Sequence, residues 1–380
     1  MGTCRYCGKS HALVSAALGA CKDCIVARGP EEISSWSREL HARLRSSTDM
    51  GTSTSTNADA ATSGNARASQ QPGSRCVLCE RSCNTGKDAA GYCGLHGGGA
   101  KHVATATRAF LHAYLDRNPT NCCMAWTCPA GSGLGFPGFK KSPGIELGTF
   151  NYAVFFKGCN FDCLFCQNPD HQFISTRDEI LIGSFIKPVL DNEQISCICY
   201  FGGSPEPQIP FSINATKTLL EMVPRGRVLR ACWEWNGAGN PAMVKACASL
   251  AYRTGGNLKF DLKAWTPSLN EALCDAGNAR VLSNFELVGK AFHDKRPGLP
   301  VIGATTLLVP GYVDAIEVES IAKFIASINR EMPYSLLVFH PDHHVRDLPI
   351  TPRKHVLEAK HAAEKHLEHV NVGNLGLLRD

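Results

Sequence analysis

Two spacings of apolar residues organise the second half of the chain, from Asn151 onward. Short runs rich in Val, Ile, Leu and Phe predict strands at 152–157, 198–202, 228–233, 258–262, 301–308 and 335–340. Between them, apolar residues recur at helical spacing and predict helices at 178–190, 213–223, 240–252, 314–328 and 352–368. Six alternating β/α units predict a parallel sheet with right-handed crossovers and helices on both faces.

The first 150 residues lack this alternation and divide into three segments. Residues 1–46 hold two cysteine pairs and then an amphipathic helical pattern from Pro30 to Arg45. Residues 47–74 are mostly Ser, Thr, Ala, Gly and Asn, which cannot bury a core and predict a flexible linker. We therefore expect a small module at 1–46, the linker, a cysteine-rich extension at 75–150, and the α/β domain at 151–380.

Composition narrows the class of protein. The chain has 380 residues, 44% hydrophobic and 19% charged, which is typical of a soluble globular protein. Its net charge of +5 is small for this length and does not argue for nucleic acid as a partner. No apolar run reaches the length of a membrane span, and the first residues lack a signal-peptide pattern. The 19 cysteines fall in tight, metal-type groups, so a reducing cytoplasm is expected rather than a disulfide framework.

The first cysteine group is a pair of CxxC motifs, Cys4 with Cys7 and Cys21 with Cys24, separated by thirteen residues. Two such knuckles at this distance can enclose one tetrahedral metal ion. Zinc is the default, and mononuclear iron of the rubredoxin type is the alternative because the same four sulfurs bind either metal. A site of this kind serves structure or docking more often than chemistry.

Two further cysteine groups precede the α/β domain. The second contains Cys76, Cys79, Cys83 and Cys93, and fits one metal ion or a small cluster; His96 or His102 is an alternative ligand in place of one cysteine. The third contains Cys122, Cys123 and Cys128. These three thiols are either buried as small apolar groups or ligands of a second cofactor. The Gly-rich run that follows has no strand before it, so a phosphate-binding loop is not expected.

The most informative motif is the CxxxCxxC formed by Cys159, Cys163 and Cys166, directly after a predicted strand. Three thiolates on one loop can ligate three irons of a [4Fe–4S] cluster and leave the fourth iron open. A structural zinc site requires four closed ligands, which this loop alone does not supply. The spacing, with the aromatic Phe165 before the last cysteine, resembles the radical S-adenosylmethionine superfamily. The second cysteine group, with its CxLCxRxC and GYCGL patterns, resembles the segment before that motif in proteins similar to pyruvate formate-lyase activating enzyme.

This resemblance covers roughly residues 74–370. It implies a partial (β/α)6 barrel, a [4Fe–4S] cluster held by the three cysteines, and S-adenosylmethionine bound at the open iron. It also implies that residues at the ends of the predicted strands contact S-adenosylmethionine or the substrate. These are Phe165, Gly202, Gly203, Glu206, Asn236, Asp261, Lys263 and His340. The physical arguments are that paired glycines admit close backbone approach, and that chemistry gathers at the carboxyl ends of parallel strands.

The sequence leaves the fate of the radical open. The chain also resembles, more weakly, archaeal cobalamin-dependent radical enzymes that C-methylate methyl-coenzyme M reductase, although no Asp-x-His-x-x-Gly motif is present. The main expectation is therefore C-methylation of a protein or peptide with cobalamin. The alternative is activation of a glycyl-radical enzyme, and an alternative of another class is a metal-binding docking or electron-transfer protein. A reductase or ferredoxin is the expected electron donor.

Overall fold

The computed structural model describes residues 1–49, 75–120 and 122–378. The predicted linker at 47–74 therefore lies almost entirely outside the described residues. The strands, numbered along the chain, are β1 Gly2–Thr3, β2 Ser10–His11, β3 Arg108–Arg117, β4 Phe150–Phe156, β5 Glu179–Leu181, β6 Ile195–Gly202, β7 Arg230–Trp235, β8 Leu258–Asp261, β9 Ile302–Leu308, β10 Tyr334–Val338 and β11 Val370–Gly373.

Nine of these strands form one sheet in the order β11-β10-β9-β8-β7-β6-β4-β3-β5. The seven strands from β4 to β11 in this order pair in parallel, as the alternating pattern predicts. β3 pairs antiparallel with both β4 and β5, so the sheet is mixed at one edge. The α/β class is thereby confirmed, while the partial barrel remains a prediction because the edge strands β5 and β11 do not pair with each other in the described part of the chain.

Helices follow most parallel strands and cover the sheet. They are α1 Lys22–Val26, α2 Pro30–Asp49, α3 Pro129–Ser132, α4 Ile182–Asp191, α5 Ile209–Met222, α6 Pro241–Thr254, α7 Pro267–Cys274, α8 Ala279–Phe292, α9 Ala315–Ile328 and α10 Arg353–Glu364. Asn240 caps α6 by accepting a hydrogen bond from the Ala242 amide, and Asp314 caps α9 in the same way. No helix among the described residues is long and apolar enough to cross a membrane.

The core lies between the sheet and these helices. On β6 and β7, Ile198, Tyr200 and Trp233 point toward the helices and are at most 1% exposed. Tyr200 packs on Trp233 with ring centroids 5.1 Å apart, which joins adjacent strands beneath the helices. Strand side chains alternate between faces, so the residues between these, such as Cys199 and Glu234, point to the opposite side.

The N-terminal segment packs onto the α/β domain. The hydroxyl of Tyr312 accepts a hydrogen bond from the Ser15 amide at 2.9 Å and donates one to the Ala20 carbonyl at 3.0 Å. Helix α2 lies against α7, where the Ser34 and Ser37 hydroxyls donate to the carboxylate and carbonyl of Glu271. The first residues are therefore in direct contact with the domain whose loops carry the radical motif.

Candidate active site

A cavity of about 440 Å³ opens at the carboxyl ends of the parallel strands. Residues from β3, β4, and β6 through β10 line it, so the sheet curves around one space. Tyr114 of β3 and Leu337 of β10 both line the cavity although five strands lie between β3 and β10 in sheet order. The position agrees with the expectation that functional groups of a parallel sheet gather at its carboxyl edge.

The loop after β4 brings all three cysteines of the CxxxCxxC to the cavity wall, together with Phe165. The loop is anchored on the end of α7 by two backbone hydrogen bonds. The Asp162 amide donates to the Cys274 carbonyl at 3.0 Å, and the Leu164 amide donates to the Leu273 carbonyl at 2.9 Å. Because α7 is itself packed in the core, the thiols are presented from a fixed support.

The spacing of the sulfurs distinguishes kinds of metal site. A tetrahedral zinc with Zn–S bonds of about 2.3 Å holds its sulfurs about 3.8 Å apart, whereas cubane ligands bind different irons and lie further apart. Among the described residues, two sets bring three or more His, Cys, Asp or Glu donors within 4.8 Å of one another. One is Cys4, Cys7, Cys21 and Cys24; the other is Cys122, Cys123 and Glu234. Cys159, Cys163 and Cys166 are not among these compact sets.

The thiols of the loop differ in their surroundings. Burial raises the pKa of Cys159 and raises that of Cys166 to about 12. A hydrogen bond from the Cys274 thiol lowers the pKa of Cys163. These pKa shifts describe the metal-free chain, in which Cys163 is the thiol whose neighbour favours the thiolate. Cluster iron would stabilise all three cysteines as thiolates.

The paired glycines at the end of β6 have a steric reason visible in the fold. Gly202 has φ of +113°, and a Cβ there would lie 2.4 Å from the Phe156 amide nitrogen. A Cβ on Gly203 would lie 2.2 Å from the Gly158 carbonyl oxygen. This close approach puts the Gly203 carbonyl 3.3 Å from the Cys159 sulfur. Both glycines line the cavity, so the carboxyl end of β6 and the cysteine loop form one wall.

Asn236 connects the end of β7 to the same loop. Its Nδ2 donates to the Cys159 sulfur at 3.3 Å and to Asn160 Oδ1 at 3.0 Å. Its own amide donates to the Ser204 hydroxyl at 3.2 Å. Asn236 is 4% exposed and lines the cavity, so it is placed to orient a cysteine ligand.

Glu206 and His340 do not line the cavity. The Glu206 carboxylate is fully buried behind the wall and accepts hydrogen bonds from the Ser204 hydroxyl and from the amides of Gly237 and Ala238. It fixes the turn after β7, which carries Asn236. The His340 side chain is 48% exposed and lies 3.3 Å from Asp342. The expectation from the sequence that either side chain contacts a ligand therefore stays a prediction.

A row of charges crosses the cavity floor from β7 to β8. Lys259 forms ion pairs with Glu234 and, at 3.5 Å, with Asp261, which is 3.0 Å from Lys263. Burial alone would raise the pKa of Asp261, but the two flanking ammonium groups hold it below its usual value. Two carboxylates and two ammonium groups thus balance one another, and Asp261 and Lys263 both face the cavity as expected.

A buried polar network ties the cysteine loop to α2. His41, which is fully buried, contacts Asp162 Oδ2 at 3.1 Å through Nδ1 and the Ala272 carbonyl at 3.1 Å through Nε2. Arg45 lies 3.6 Å from the same Asp162 carboxylate. Burial opposes the charge of Asp162, but the His41 hydrogen bond and Arg45 together lower its pKa to about 2.

The second cysteine group packs beside the loop. Cys76, Cys79, Cys83 and Cys93 line one small cavity, but they do not form a compact set within 4.8 Å. His96 is committed elsewhere, since its Nε2 lies 2.5 Å from the Pro207 carbonyl, and the His102 ring packs on Phe110. His96 lines the same small cavity as the four cysteines, whereas His102 does not. The metal of the group and its ligands remain predictions.

Several cavity residues were not expected from the sequence. They are Tyr114, Asp116, Asn151, Phe155, His171, Cys199, Phe201, Glu234, Lys259 and Thr305. Glu234 precedes Asn236 by two residues, and Lys259 precedes Asp261 by two, so strand alternation alone would have placed both on the cavity face. His171 is 5% exposed, and burial lowers its pKa to about 4, so its ring is neutral.

No protein-family model matches the chain. A curated relative is the Methanocaldococcus jannaschii protein MJ1632, provisionally described as a glycyl-radical enzyme activating enzyme. It is 28% identical over 218 residues, which cover 56% of this chain and 77% of the relative.

Two solved structures are also similar. A domain of pyruvate-formate lyase-activating enzyme from Bacteroides vulgatus has 18% identity and a TM-score of 0.38, with 46% of this chain and 98% of that domain covered. Streptococcus suis SuiB, solved bound to its precursor peptide SuiA, has 10% identity and a TM-score of 0.40. That match covers 57% of this chain and 46% of SuiB.

The three-cysteine loop on a cavity wall and the curated relative agree with each other, and an enzyme is indicated over a docking or electron-transfer protein. The chain resembles the radical S-adenosylmethionine enzymes, in the branch of pyruvate formate-lyase activating enzyme.

Proposed function

We propose that this enzyme activates a glycyl-radical partner protein by removing a hydrogen atom from one of its glycines. The supporting observation is the position of Cys159, Cys163 and Cys166 on the wall of a cavity lined by polar strand ends. The relative MJ1632 carries the description of an activating enzyme, and this reverses the order suggested by the sequence, in which C-methylation stood first.

The residues of the cavity fit a [4Fe–4S] cluster and S-adenosylmethionine. Cys159, Cys163 and Cys166 would hold the cluster, because their sulfurs share a wall without the compact spacing of a single-ion site. When bound, these two groups supply a 5′-deoxyadenosyl radical that can abstract a hydrogen atom from an unactivated carbon. A reductase or ferredoxin would provide the electron.

The chain's own groups would position S-adenosylmethionine. The carbonyls of Gly202 and Gly203 are suited to an ammonium group, and the close packing of both glycines leaves no room for a side chain there. Lys263 and Asp261 offer opposite charges on the far side of the cavity. Asn236 would keep the Cys159 thiolate in place through its Nδ2.

The cavity rim suits a macromolecular substrate. His112, Tyr114 and Phe155 stack on one another along β3 and β4, with ring centroids 5.0 to 6.5 Å apart. Phe155 meets Phe201 edge-on at 4.4 Å, which continues the aromatic wall to the end of β6. Tyr114 and its neighbour Leu115 are 47% and 44% exposed. An aromatic wall that reaches the surface is suited to receive a loop of a protein or peptide.

Cobalamin and C-methylation gain no support from the relatives, whose names carry neither. Product analysis separates the two reactions. The anaerobic, iron- and sulfide-reconstituted enzyme is mixed with dithionite, S-adenosylmethionine and a glycyl-radical enzyme from the same genome whose glycines are deuterated. Activation predicts equal amounts of methionine and 5′-deoxyadenosine, deuterium in the latter, and a glycyl signal by electron paramagnetic resonance.

Formation of S-adenosylhomocysteine with a methylated partner carbon would instead favour C-methylation. A Cys163→Ala variant is the control for reaction without the cluster. Cleavage of S-adenosylmethionine without deuterium transfer or radical signal would contradict glycine as the target in that partner while retaining the radical chemistry.

A further inference from the structure

The cavity contains a second group of donors that the proposed chemistry does not use. Cys122, Cys123 and Glu234 place two sulfurs and a carboxylate oxygen within 4.8 Å of one another. The Cys122 sulfur lies 3.8 Å from Glu234 Oε2. Donors of one tetrahedral ion, at about 2.0–2.3 Å from the metal, lie about 3.5–3.8 Å apart, so this spacing suits a single ion.

We propose that Cys122, Cys123 and Glu234 bind a thiophilic divalent metal ion such as Zn²⁺, with a coordination position open to the cavity. Structural zinc sites close with four protein ligands, whereas three protein ligands leave one position for water or a substrate group. Cys122 and Glu234 both line the cavity, so that position would face the space where the substrate is expected.

The charges around the three donors are arranged for a cation of charge two. Two thiolates and a carboxylate carry three negative charges, which a divalent ion reduces to one. Lys259 supplies the remaining positive charge through its ion pair with Glu234 Oε1, which leaves Oε2 directed toward Cys122. A half-buried site with balanced charge avoids the cost of isolated ions away from water.

The donors are held by neighbouring groups. The Met124 amide donates to the Cys122 sulfur at 3.4 Å, and the Thr305 hydroxyl donates to the Cys123 sulfur at 3.6 Å. The Cys123 carbonyl accepts a hydrogen bond from Ser335 on β10 at 2.7 Å. Support of this kind fixes the orientation of metal ligands.

The loop that carries Cys122 and Cys123 packs against β9 and β10 of the sheet. Met124 is 1% exposed and packs against Gly303, where an added Cβ would lie 2.3 Å from the Met124 methyl group. Trp126 Nε1 donates to the Ser335 hydroxyl at 3.0 Å. The thiols are therefore presented by a rigid turn, and Glu234 and Lys259 are register partners on β7 and β8.

A metal ion at this site would protect the radical reaction from the two thiols. An S–H bond is weaker than the C–H bond of an unactivated carbon, so a free thiol beside a radical reaction is a competing hydrogen-atom donor. Metal ligation converts both thiols to thiolates without a transferable hydrogen. The proposal concerns metal binding alone and does not depend on which substrate the enzyme modifies.

Metal content tests the site directly. The full chain is treated with a chelator under anaerobic conditions and titrated with Co²⁺, and bound metal is measured by mass spectrometry together with the thiolate-to-Co²⁺ absorption. We expect the Cys122→Ser/Cys123→Ser double variant to bind one equivalent less than wild type. The matched control is Cys247→Ser, a buried thiol in α6 away from the cavity, which should bind as wild type does.

A vicinal dithiol can bind soft metals on its own, so Glu234 is tested separately. Glu234→Gln retains both thiols and should weaken Co²⁺ binding at this site by about 10-fold or more, in the range for lost support of a metal ligand. Binding that is unchanged in Glu234→Gln, or equal metal content in wild type and the double variant, would overturn the three-donor site.

If circular dichroism shows that the double variant does not fold, alkylation of the wild-type chain tests the site instead. Protection of Cys122 and Cys123 by Zn²⁺ supports the site, and equal labelling with and without Zn²⁺ overturns it.

Discussion

The N-terminal CxxC pair and the CxxxCxxC loop both gather cysteines, but they do so at different spacings. In the N-terminal module the four sulfurs lie within 4.8 Å, with Cys7 and Cys21 3.9 Å apart, close to the separation expected around one tetrahedral ion. The radical-motif cysteines are on one cavity wall but form no such compact set. The two regions therefore differ in how closely they gather their thiols, and a single ion in the module with a cluster in the loop would account for that difference.

The two regions also differ in how they are supported. The N-terminal knuckles are stabilised by local turns, such as the Cys4 amide donating to the Lys9 carbonyl at 2.8 Å, and by contacts of Ser15 and Ala20 with Tyr312 of the α/β domain. The cluster loop depends on distant elements, including α7, Asn236 and, through His41, the helix α2. The contacts of the module lie at Tyr312 and not at the cysteine loop, so we expect a change at the knuckles to affect mainly residues 1–29. A change around the loop should affect the cluster directly.

The largest effect is expected from Cys163→Ala, which removes a cluster ligand. Loss of a ligand's supporting partner alone typically costs about 10–100-fold, so loss of the ligand should reduce 5′-deoxyadenosine formation by more than about 100-fold. The rate is measured under dithionite with S-adenosylmethionine. The control is Cys247→Ala, which changes a buried cysteine of α6. Wild-type rates in Cys163→Ala would remove the basis for the cluster assignment.

A smaller effect is expected from His41→Ala, which breaks the connection between the two regions. The substitution leaves the buried Asp162 carboxylate and the Ala272 carbonyl without this partner. Such losses cost about 1–3 kcal/mol for each buried group, so the free energy of unfolding should fall by about 2–6 kcal/mol. Urea denaturation measures it, with the exposed His361→Ala as a control expected within about 0.5 kcal/mol.

The sequence predicted the parallel part of the fold because burial on both faces leaves long apolar runs. All six expected strands exist, with shifts of no more than three residues at their ends. It missed β3, whose exposed Tyr114 and Leu115 interrupt the apolar pattern, and the paired helices α7 and α8 within a single crossover. A repeat of one strand and one helix gives no signal for an added antiparallel strand or a second helix.

The site was predictable where a local motif fixes it. The three cluster cysteines, the paired glycines and Asn236 lie at the cavity as expected. Glu206 has a carboxylate suited to contact a ligand, but it is buried behind the wall, where it accepts hydrogen bonds from the turn after the neighbouring strand β7. That contact has no signal in the local sequence. The association of Cys122 with Glu234 joins residues 112 positions apart, so no local spacing could have indicated it.

Asn236→Ala tests the support of the loop from the sheet side. The substitution removes the Nδ2 donor to the Cys159 sulfur and to Asn160, while the backbone of β7 remains unchanged. We expect 5′-deoxyadenosine formation to fall by about 10–100-fold with the iron content largely retained, because the ligand is misoriented and not lost. Asn278→Ala would remove a different buried asparagine, which donates to the Ala264 and Trp265 carbonyls and does not contact the cysteine loop or the turn after β7. An equal loss in both variants would indicate general destabilisation.

Acid should weaken the buried network of Asp162, His41 and Arg45 that joins the cysteine loop to α2. The folded-state pKa of Asp162 is about 2, below its ordinary value of 3.8, so its contribution to stability is present above pH 4 and disappears as the pH falls toward 2. A shift of this size corresponds to about 2 kcal/mol. In urea denaturation of the chelator-treated chain, Asp162→Asn should lose most of the wild-type dependence between pH 5 and pH 3. The exposed Asp191→Asn should retain it. Parallel pH dependence in wild type and Asp162→Asn would contradict the role of this carboxylate.

The smallest effect on the cluster is expected from Cys21→Ala in the N-terminal module. Three remaining sulfurs cannot complete the tetrahedral site, so the chain should lose one equivalent of zinc or mononuclear iron, and residues 1–29 should become sensitive to protease. The sulfide content and the cluster absorption should remain as in wild type, because α2 is held on α7 by its own contacts at Ser34 and Ser37 and does not require the knuckles. Metal analysis and sulfide determination on the same sample give both quantities. Loss of sulfide together with the N-terminal metal would mean that the two regions form one cooperative unit. The two regions would then differ in the spacing of their sulfurs but would not be independent in stability.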